Sequence, residues 1–205
     1  TPSGLTGQIM TWEAAPAPLI GGIGLLERAV GYTLGSLLLV TPDAMARPSP
    51  CAGWDLRALL RHMNDSLKAL HEAGDAGRVE LSSAGSYGDP ETDPVMTLRN
   101  RACTMLGAWA NADGRDWVTI DGCPVTGGVV TATGALEITV HGWDVAQAVG
   151  QPRPIPRALA EELLPLASLL VTDADRPGRF AAPLEVSPGA TPADRLLAYL
   201  GRGTD

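Results

Sequence analysis

Apolar residues recur along much of the chain at the i, i+3, i+4 spacing of helices that face a core, and this pattern predicts four long helices. Their predicted ranges are 19–40, 55–73, 94–112 and 135–149. Thr131 or Thr133 is the predicted N-cap of the fourth helix. A fifth helix is predicted over 156–170, and Thr191-Pro192 is a good start for a short closing helix.

The segments between these helices contain most of the turn-forming residues. Residues 116–130 alternate β-branched residues with turn formers, which favours a short hairpin near 117–130 with its turn at Gly127-Gly128. Residues 78–93 are polar and predict a long loop or lid. The first 18 residues hold three prolines and no sustained period. We therefore expect a flexible arm over 1–18 and a single domain over 19–205.

The expected fold class is all-α, a four-helix bundle with inserted loops and short C-terminal helices. A length of 205 residues suits one such domain. A net charge of −8 would repel a phosphate backbone, so nucleic acid is not an expected partner. The apolar run Leu34–Val40 is far shorter than the roughly 20 residues that cross a bilayer. The N-terminal residues include no lysine or arginine, which predicts a cytoplasmic protein without a membrane partner.

One face of the predicted fourth helix concentrates groups that bind metals. Glu137, His141 and Asp144 lie within about 60° of one another at 100° per residue. The i, i+4 pair Glu137 and His141 places a carboxylate oxygen and an imidazole nitrogen within reach of one divalent ion. Such pairs are also common on solvated helix surfaces, so periodicity alone leaves both interpretations open.

A third metal ligand would have to come from another helix. His62 is the natural candidate, because it flanks the apolar stripe of the second helix. His71 flanks the other edge of the same stripe, and helical rotation does not separate the two. The spacing of Trp54, Trp109 and Trp143 predicts core residues.

Two stretches resemble a known family. PSPCAGWDLRALLRH, which ends at His62, and EITVHGWD, which runs from Glu137 to Asp144, are similar to the DinB-like superfamily. The closest likeness is the branch typified by the metal-binding domain of mycothiol-dependent maleylpyruvate isomerase, and it extends over about 25–202. The resemblance implies a four-helix bundle that binds a divalent ion, usually zinc, through His62, Glu137 and His141. Nickel, cobalt or iron would also suit this donor set.

The resemblance also implies a reaction, in which a low-molecular-weight thiol such as mycothiol is activated at the metal as co-substrate and attacks a small electrophile. The chain would then be a thiol transferase or an isomerase. Asp144 would orient a ligand imidazole or position water. Arg99 is a candidate for pairing with a carboxylate of the small-molecule substrate. Members of the family often form homodimers, so a homodimer is also an expectation.

Some features of the chain depart from the isomerase itself. That enzyme carries a further C-terminal domain, whereas about 50 residues follow the predicted fourth helix here, as in shorter members of the branch. This difference argues against maleylpyruvate as substrate. Two alternative functions stay open, a non-catalytic bundle that binds a small molecule and a hydrolase or cyclase of secondary metabolism that needs no thiol.

Overall fold

The computed structural model describes residues 22–80, 93–112, 115–176 and 180–203, and it is mostly helical. Within these ranges there are six α-helices and three short strands. The helices are α1 (Gly22–Leu37), α2 (Leu56–Ala76), α3 (Pro94–Asn111), α4 (Gly127–Ala148), α5 (Arg157–Leu170) and α6 (Pro192–Tyr199). The strands are β1 (Arg78–Val79), β2 (Trp117–Ile120) and β3 (Cys123–Thr126).

Helices α1 to α4 form a bundle in which each helix packs against two neighbouring bundle helices. Helix α1 contacts α4 and α3, and helix α2 contacts α3 and α4, so the order around the bundle is α1, α3, α2, α4. Helix α5 packs mainly against α6 and also against α4. The predicted four-helix bundle is therefore confirmed, with α5 and α6 added at its side. None of the described helices is both long and apolar enough to cross a membrane.

Helix α4 lies at the centre of the domain and is buried on nearly all sides. Small residues let its neighbours approach, because a Cβ at Gly142 would collide with Thr33 of α1 and one at Gly134 would collide with Leu70 of α2. The Thr33 hydroxyl also donates a hydrogen bond of 2.7 Å to the Ile138 carbonyl. Close contact with both α1 and α2 thus fixes how α4 is oriented in the bundle.

The C-terminal ends of α1 and α2 differ from their predicted positions, and α4 begins eight residues before its predicted start at 135. Helix α1 ends three residues early, because the Leu39 and Val40 amides bond to carbonyls three residues back and tighten the chain before Pro42. Helix α2 begins at its predicted cap, where Asp55 accepts a hydrogen bond of 2.8 Å from the Ala58 amide. It continues past its predicted end to Ala76, where Gly77 adopts the left-handed conformation that closes many helices.

The predicted hairpin is present as β2 and β3, but its turn is not at Gly127-Gly128. The turn is Asp121-Gly122, where both residues have positive φ, 45° and 82°. Strand twist favours such two-residue turns, and Asp-Gly is a common sequence for them. The glycine pair instead begins α4, which is capped by the Thr126 side chain rather than by Thr131 or Thr133.

The strand β1 was not predicted, since its two residues fell at the start of the polar segment 78–93. It pairs in parallel with β2, with Arg78 opposite Thr119 and Val79 opposite Ile120. The buried Val79 side chain gives this pairing an apolar contribution. The rest of that predicted loop, residues 81–92, and the predicted arm over 1–18 lie outside the described residues. The predicted helix starts near 156 and 191 are confirmed.

The close contact between α1 and α4 can be tested with two glycines. Gly142→Ala should lower the free energy of unfolding by about 1–3 kcal/mol, because the new methyl group overpacks Thr33. Gly31→Ala is the matched control on α1, where a Cβ meets no atom within 4 Å. It should stabilise the protein by about 0.5–1 kcal/mol through helix propensity. Urea denaturation of both variants measures this, and equal effects would contradict the packing argument.

Candidate metal centre

Three side chains from two helices converge between α2 and α4. His62 projects from α2, and Glu137 and His141 lie one turn apart on α4. The Oε1 atom of Glu137 is 2.6 Å from His62 Nε2 and 3.2 Å from His141 Nε2. The Ser66 hydroxyl donates a hydrogen bond of 3.3 Å to the same oxygen. One ligand atom from each of the three residues lies within 4.8 Å of the other two.

A second carboxylate holds the opposite side of the His141 ring. Asp144 Oδ2 is 2.9 Å from His141 Nδ1, and Asp144 is completely buried. Arg202, 58 residues further along the chain, donates from Nε to Asp144 Oδ1 and from Nη2 to Oδ2, each at 2.8 Å. Cys51, from the segment before α2, places its Sγ 3.3 Å from Asp144 Oδ2. Three distant parts of the chain therefore meet at one carboxylate.

Asp144 determines where the His141 ring carries its proton. A carboxylate held by a guanidinium is ionised and only accepts hydrogen bonds, so the Nδ1 atom of His141 is the protonated one. In a neutral imidazole, Nε2 would then be an acceptor, and it faces another acceptor, Oε1 of Glu137, at 3.2 Å. Two acceptors in contact need a positive charge between them. A second ring proton or a metal ion would supply that charge.

The pKa values of His141, Glu137 and Asp144 are all shifted by hydrogen bonds between oppositely charged groups, which oppose the effect of burial. Burial alone would lower the pKa of His141, but its hydrogen bonds to Asp144 and Glu137 raise it well above the ordinary value. Burial alone would raise the pKa of Glu137, yet hydrogen bonds from His141 and His62 hold it well below the usual range. The pKa of Asp144 is also lowered, because bonds from His141 and Arg202 outweigh its burial. Each of these groups thus stabilises the charged form of its neighbour.

The described residues contain two groups that offer metal-ligating atoms close together, His62 with Glu137 and His141, and Cys51 with His141 and Asp144. In the second group, the Arg202 guanidinium already binds both oxygens of Asp144. In the first group, by contrast, no lysine or arginine of the described chain pairs with Glu137. The first group is therefore the better candidate for a cation.

A family model described as "Mycothiol maleylpyruvate isomerase N-terminal domain" matches residues 27–146, more than half of the chain. The chain belongs to this family. The resemblance and the helical fold class expected from the sequence are thereby confirmed. His62, Glu137, His141 and Asp144 all lie in the part that the family model matches.

Two curated proteins of Mycobacterium tuberculosis are similar to this family member. They are the uncharacterized proteins MT0763 of strain CDC 1551 / Oshkosh and Rv0738 of strain ATCC 25618 / H37Rv. Each is 28% identical over 181 residues, which cover 86% of this chain and 94% of the relative. No solved structure matches the chain significantly. The likeness to these relatives therefore extends well beyond the bundle helices.

The structure shows which of His62 and His71 lies near Glu137 and His141, a choice that helical periodicity did not decide. His62 lies in the cluster, whereas His71 lies elsewhere on α2. Among the described residues, the buried Nδ1 atom of His71 has no hydrogen-bond partner. Asp144 lies directly behind His141, where it can orient the ring. Arg99 is exposed on α3 and is not among the residues brought together here. Its pairing with a substrate carboxylate stays a prediction.

Sequence reasoning missed three neighbours of the cluster. Arg202 and Ser66 were not singled out, and Trp54 was assigned to the core. Trp54 is instead 37% exposed, and its ring lies 4.9 Å from the His62 ring. The signal available for Arg202 was Asp144 itself, because an acidic residue within an otherwise apolar helix needs a buried cation. Periodicity does not reveal which of 14 arginines provides it.

The buried ion pair between Arg202 and Asp144 should be important for stability. Arg202→Ala is expected to lower the free energy of unfolding by about 3–5 kcal/mol, because it leaves a buried carboxylate without its cation. Arg28→Ala is the matched control, since Arg28 pairs with Glu162 where both side chains are about half exposed. It should cost less than about 1 kcal/mol. Urea denaturation with a chelator present checks both, and a small loss for Arg202→Ala would contradict the expectation.

Proposed function

We propose that this protein is a divalent-metal-dependent enzyme that activates a thiol or a water molecule at His62, Glu137 and His141. Its substrate would be a small electrophilic metabolite. The observation that carries the proposal is the convergence of ligand atoms from these three residues within 4.8 Å of one another, with His141 Nε2 3.2 Å from Glu137 Oε1. His62 Nε2 lies at the same oxygen and supplies a third donor atom.

The chemistry of this donor set fits a catalytic metal better than a structural one. Two imidazole nitrogens and one carboxylate oxygen are the ligands of many zinc enzymes, and three protein ligands leave a coordination position open. Zinc bound there would supply Lewis acidity, which lowers the pKa of a coordinated thiol or water. Nickel, cobalt and iron are accepted by similar donor sets, so the proposal is for a divalent metal, with zinc preferred.

The surrounding residues would prepare these ligands before a metal binds. Asp144 accepts a hydrogen bond from Nδ1–H of His141 and so directs Nε2 towards Glu137. The Ser66 hydroxyl donates to Oε1 of Glu137 and restricts the rotation of that carboxylate. Trp54 packs against the ring of His62 at a tilt of 55° and limits its movement. Such neighbours commonly tune metal affinity as much as they tune reactivity.

A thiol is favoured over water as the activated group because the description of the matched family names mycothiol. Cys51 is not the attacking thiol in this proposal. Its Sγ lies 3.8 Å from His141 Nδ1, on the side of the ring that faces Asp144 rather than Glu137. The thiol would therefore come from a separate molecule that reaches the open coordination position.

The proposal predicts a metal content that depends on particular histidines. The purified wild type should retain or take up about one zinc ion per chain, and His62→Ala and His141→Ala should lose it while staying folded. His71→Ala is the matched control, because His71 lies on α2 outside the cluster. Elemental analysis measures the zinc, and circular dichroism checks folding. A folded wild type that cannot be loaded with zinc would overturn the proposal.

Thiol titration of the same proteins distinguishes the proposed reaction from its alternatives. Saturable binding of mycothiol that requires the metal supports a thiol transferase or isomerase. Turnover of an electrophile without any thiol would indicate a hydrolase or cyclase. Metal binding with neither result would contradict the proposed reaction and leave only the metal site.

The role of Asp144 can be tested separately from the ligands. Asp144→Asn removes the negative charge that holds the His141 proton, so zinc affinity should fall by about 10–100-fold. Asp65→Asn is the matched control, since Asp65 is exposed on α2. It should leave the affinity unchanged. Competition with a chromogenic chelator measures the affinity, and equal values for both variants would refute a positioning role for Asp144.

A further inference from the structure

Arg202 contacts a second donor group, Cys51, His141 and Asp144, on the Nδ1 side of the His141 ring. One metal-ligating atom from each of these three residues lies within 4.8 Å of the other two. The Arg202 guanidinium binds both oxygens of Asp144 at 2.8 Å, and its Nη2 atom lies 3.6 Å from Cys51 Sγ. An organic cation thus already occupies a group of atoms that suits a metal ion.

The spacing within the second donor group is close to that of ligands around a tetrahedral ion. Cys51 Sγ lies 3.3 Å from Asp144 Oδ2 and 3.8 Å from His141 Nδ1, and the latter two atoms are 2.9 Å apart. Zinc–sulfur bonds of about 2.3 Å and zinc–nitrogen or zinc–oxygen bonds of about 2.0–2.1 Å place tetrahedral ligands about 3.3–3.6 Å apart. Small side-chain movements, of about 0.5 Å, would therefore bring these atoms around an ion.

The charges of the second donor group would also balance a divalent ion. Cys51 as a thiolate and Asp144 as a carboxylate supply one negative charge each, and metal binding releases the thiol proton to solvent. The metal would replace the proton at His141 Nδ1, so the neutral ring would carry its proton at Nε2. Glu137 Oε1 accepts that proton at 3.2 Å. An ion in the second donor group would therefore remove His141 from the centre with His62.

We propose that Arg202 determines which of the two groups receives the metal. Its guanidinium takes the place of a cation at Cys51, His141 and Asp144, and so leaves Nε2 as the ring nitrogen that binds the ion. Without the guanidinium, the second donor group is a site for a soft divalent ion, because thiolate is a soft ligand. The direction of the metal to Nε2 rests on the proposed function, whereas the second site does not.

Cobalt binding to charge-matched variants, without added thiol, tests this inference. Cobalt-loaded Arg202→Gln should show the strong thiolate-to-cobalt absorption band, which the cobalt-loaded wild type should lack. Arg28→Gln removes the same charge at an exposed ion pair on α1 and should give the wild-type spectrum. Adding Cys51→Ser to Arg202→Gln should abolish the band. Wild type also controls for the exposed thiols of Cys103 and Cys123, which all these proteins retain.

A second variant keeps the test decisive if Arg202→Gln does not fold. Arg202→Lys keeps the positive charge but replaces the planar fork with one nitrogen, which frees one oxygen of Asp144. Cadmium should then protect Cys51 from iodoacetamide at a concentration at least about tenfold lower than wild type requires, because soft ions prefer thiolate ligands. Peptide mass spectrometry locates the alkylated cysteine.

The outcomes separate this inference from the proposal for the first centre. A folded Arg202→Gln without the band, or a band that persists after Cys51→Ser, would show that Arg202 does not select the donor group. Equal protection of Cys51 in Arg202→Lys and wild type would contradict the inference as well. If wild type takes up no cobalt while Arg202→Gln shows the band, the proposed function is overturned and the second site stands.

Discussion

Asp144 carries a carboxylate that is completely excluded from solvent, on a helix whose other sides are nearly all apolar. Such a group is tolerated only when it is fully hydrogen-bonded and neutralised. Arg202 meets this requirement with two bonds of 2.8 Å, and His141 donates a third. The protonation and orientation of His141 follow from that contact, and with them the direction of Nε2 towards Glu137.

Helix α4 connects the packing of the bundle with the chemistry of the site. Gly142 and Gly134 allow α1 and α2 to lie close against it, and the same proximity brings His62 of α2 to Glu137. Helix α4 thus contributes to both the core and the candidate metal centre. Its apolar surface forms the core, and one narrow polar stripe holds the candidate ligands.

The family match and the tertiary contacts together extend the site beyond the bundle. The candidate ligands lie within the matched range 27–146, whereas Arg202 lies outside it, near the end of α6. Docking of the C-terminal segment is therefore part of how the centre is built here. The two nitrogen atoms of the His141 ring have different surroundings, Asp144 with Arg202 at Nδ1 and Glu137 at Nε2.

Much of this protein could be predicted from local patterns in its sequence. Apolar periodicity located the long helices, and the spacing of Glu137, His141 and Asp144 placed them on one helical face, because a helix of fixed pitch relates such residues without knowledge of the rest of the chain. The sequence also contains the Asp121-Gly122 pair that is typical of hairpin turns, although the pattern was interpreted as a turn at Gly127-Gly128. Helical periodicity did not decide between His62 and His71, although the family resemblance implied His62. Only the tertiary structure showed that Arg202 binds Asp144 and that Trp54 lies beside His62 rather than in the core. These contacts join residues up to 151 positions apart, as between Cys51 and Arg202, and such proximity depends on how whole helices pack rather than on any local pattern.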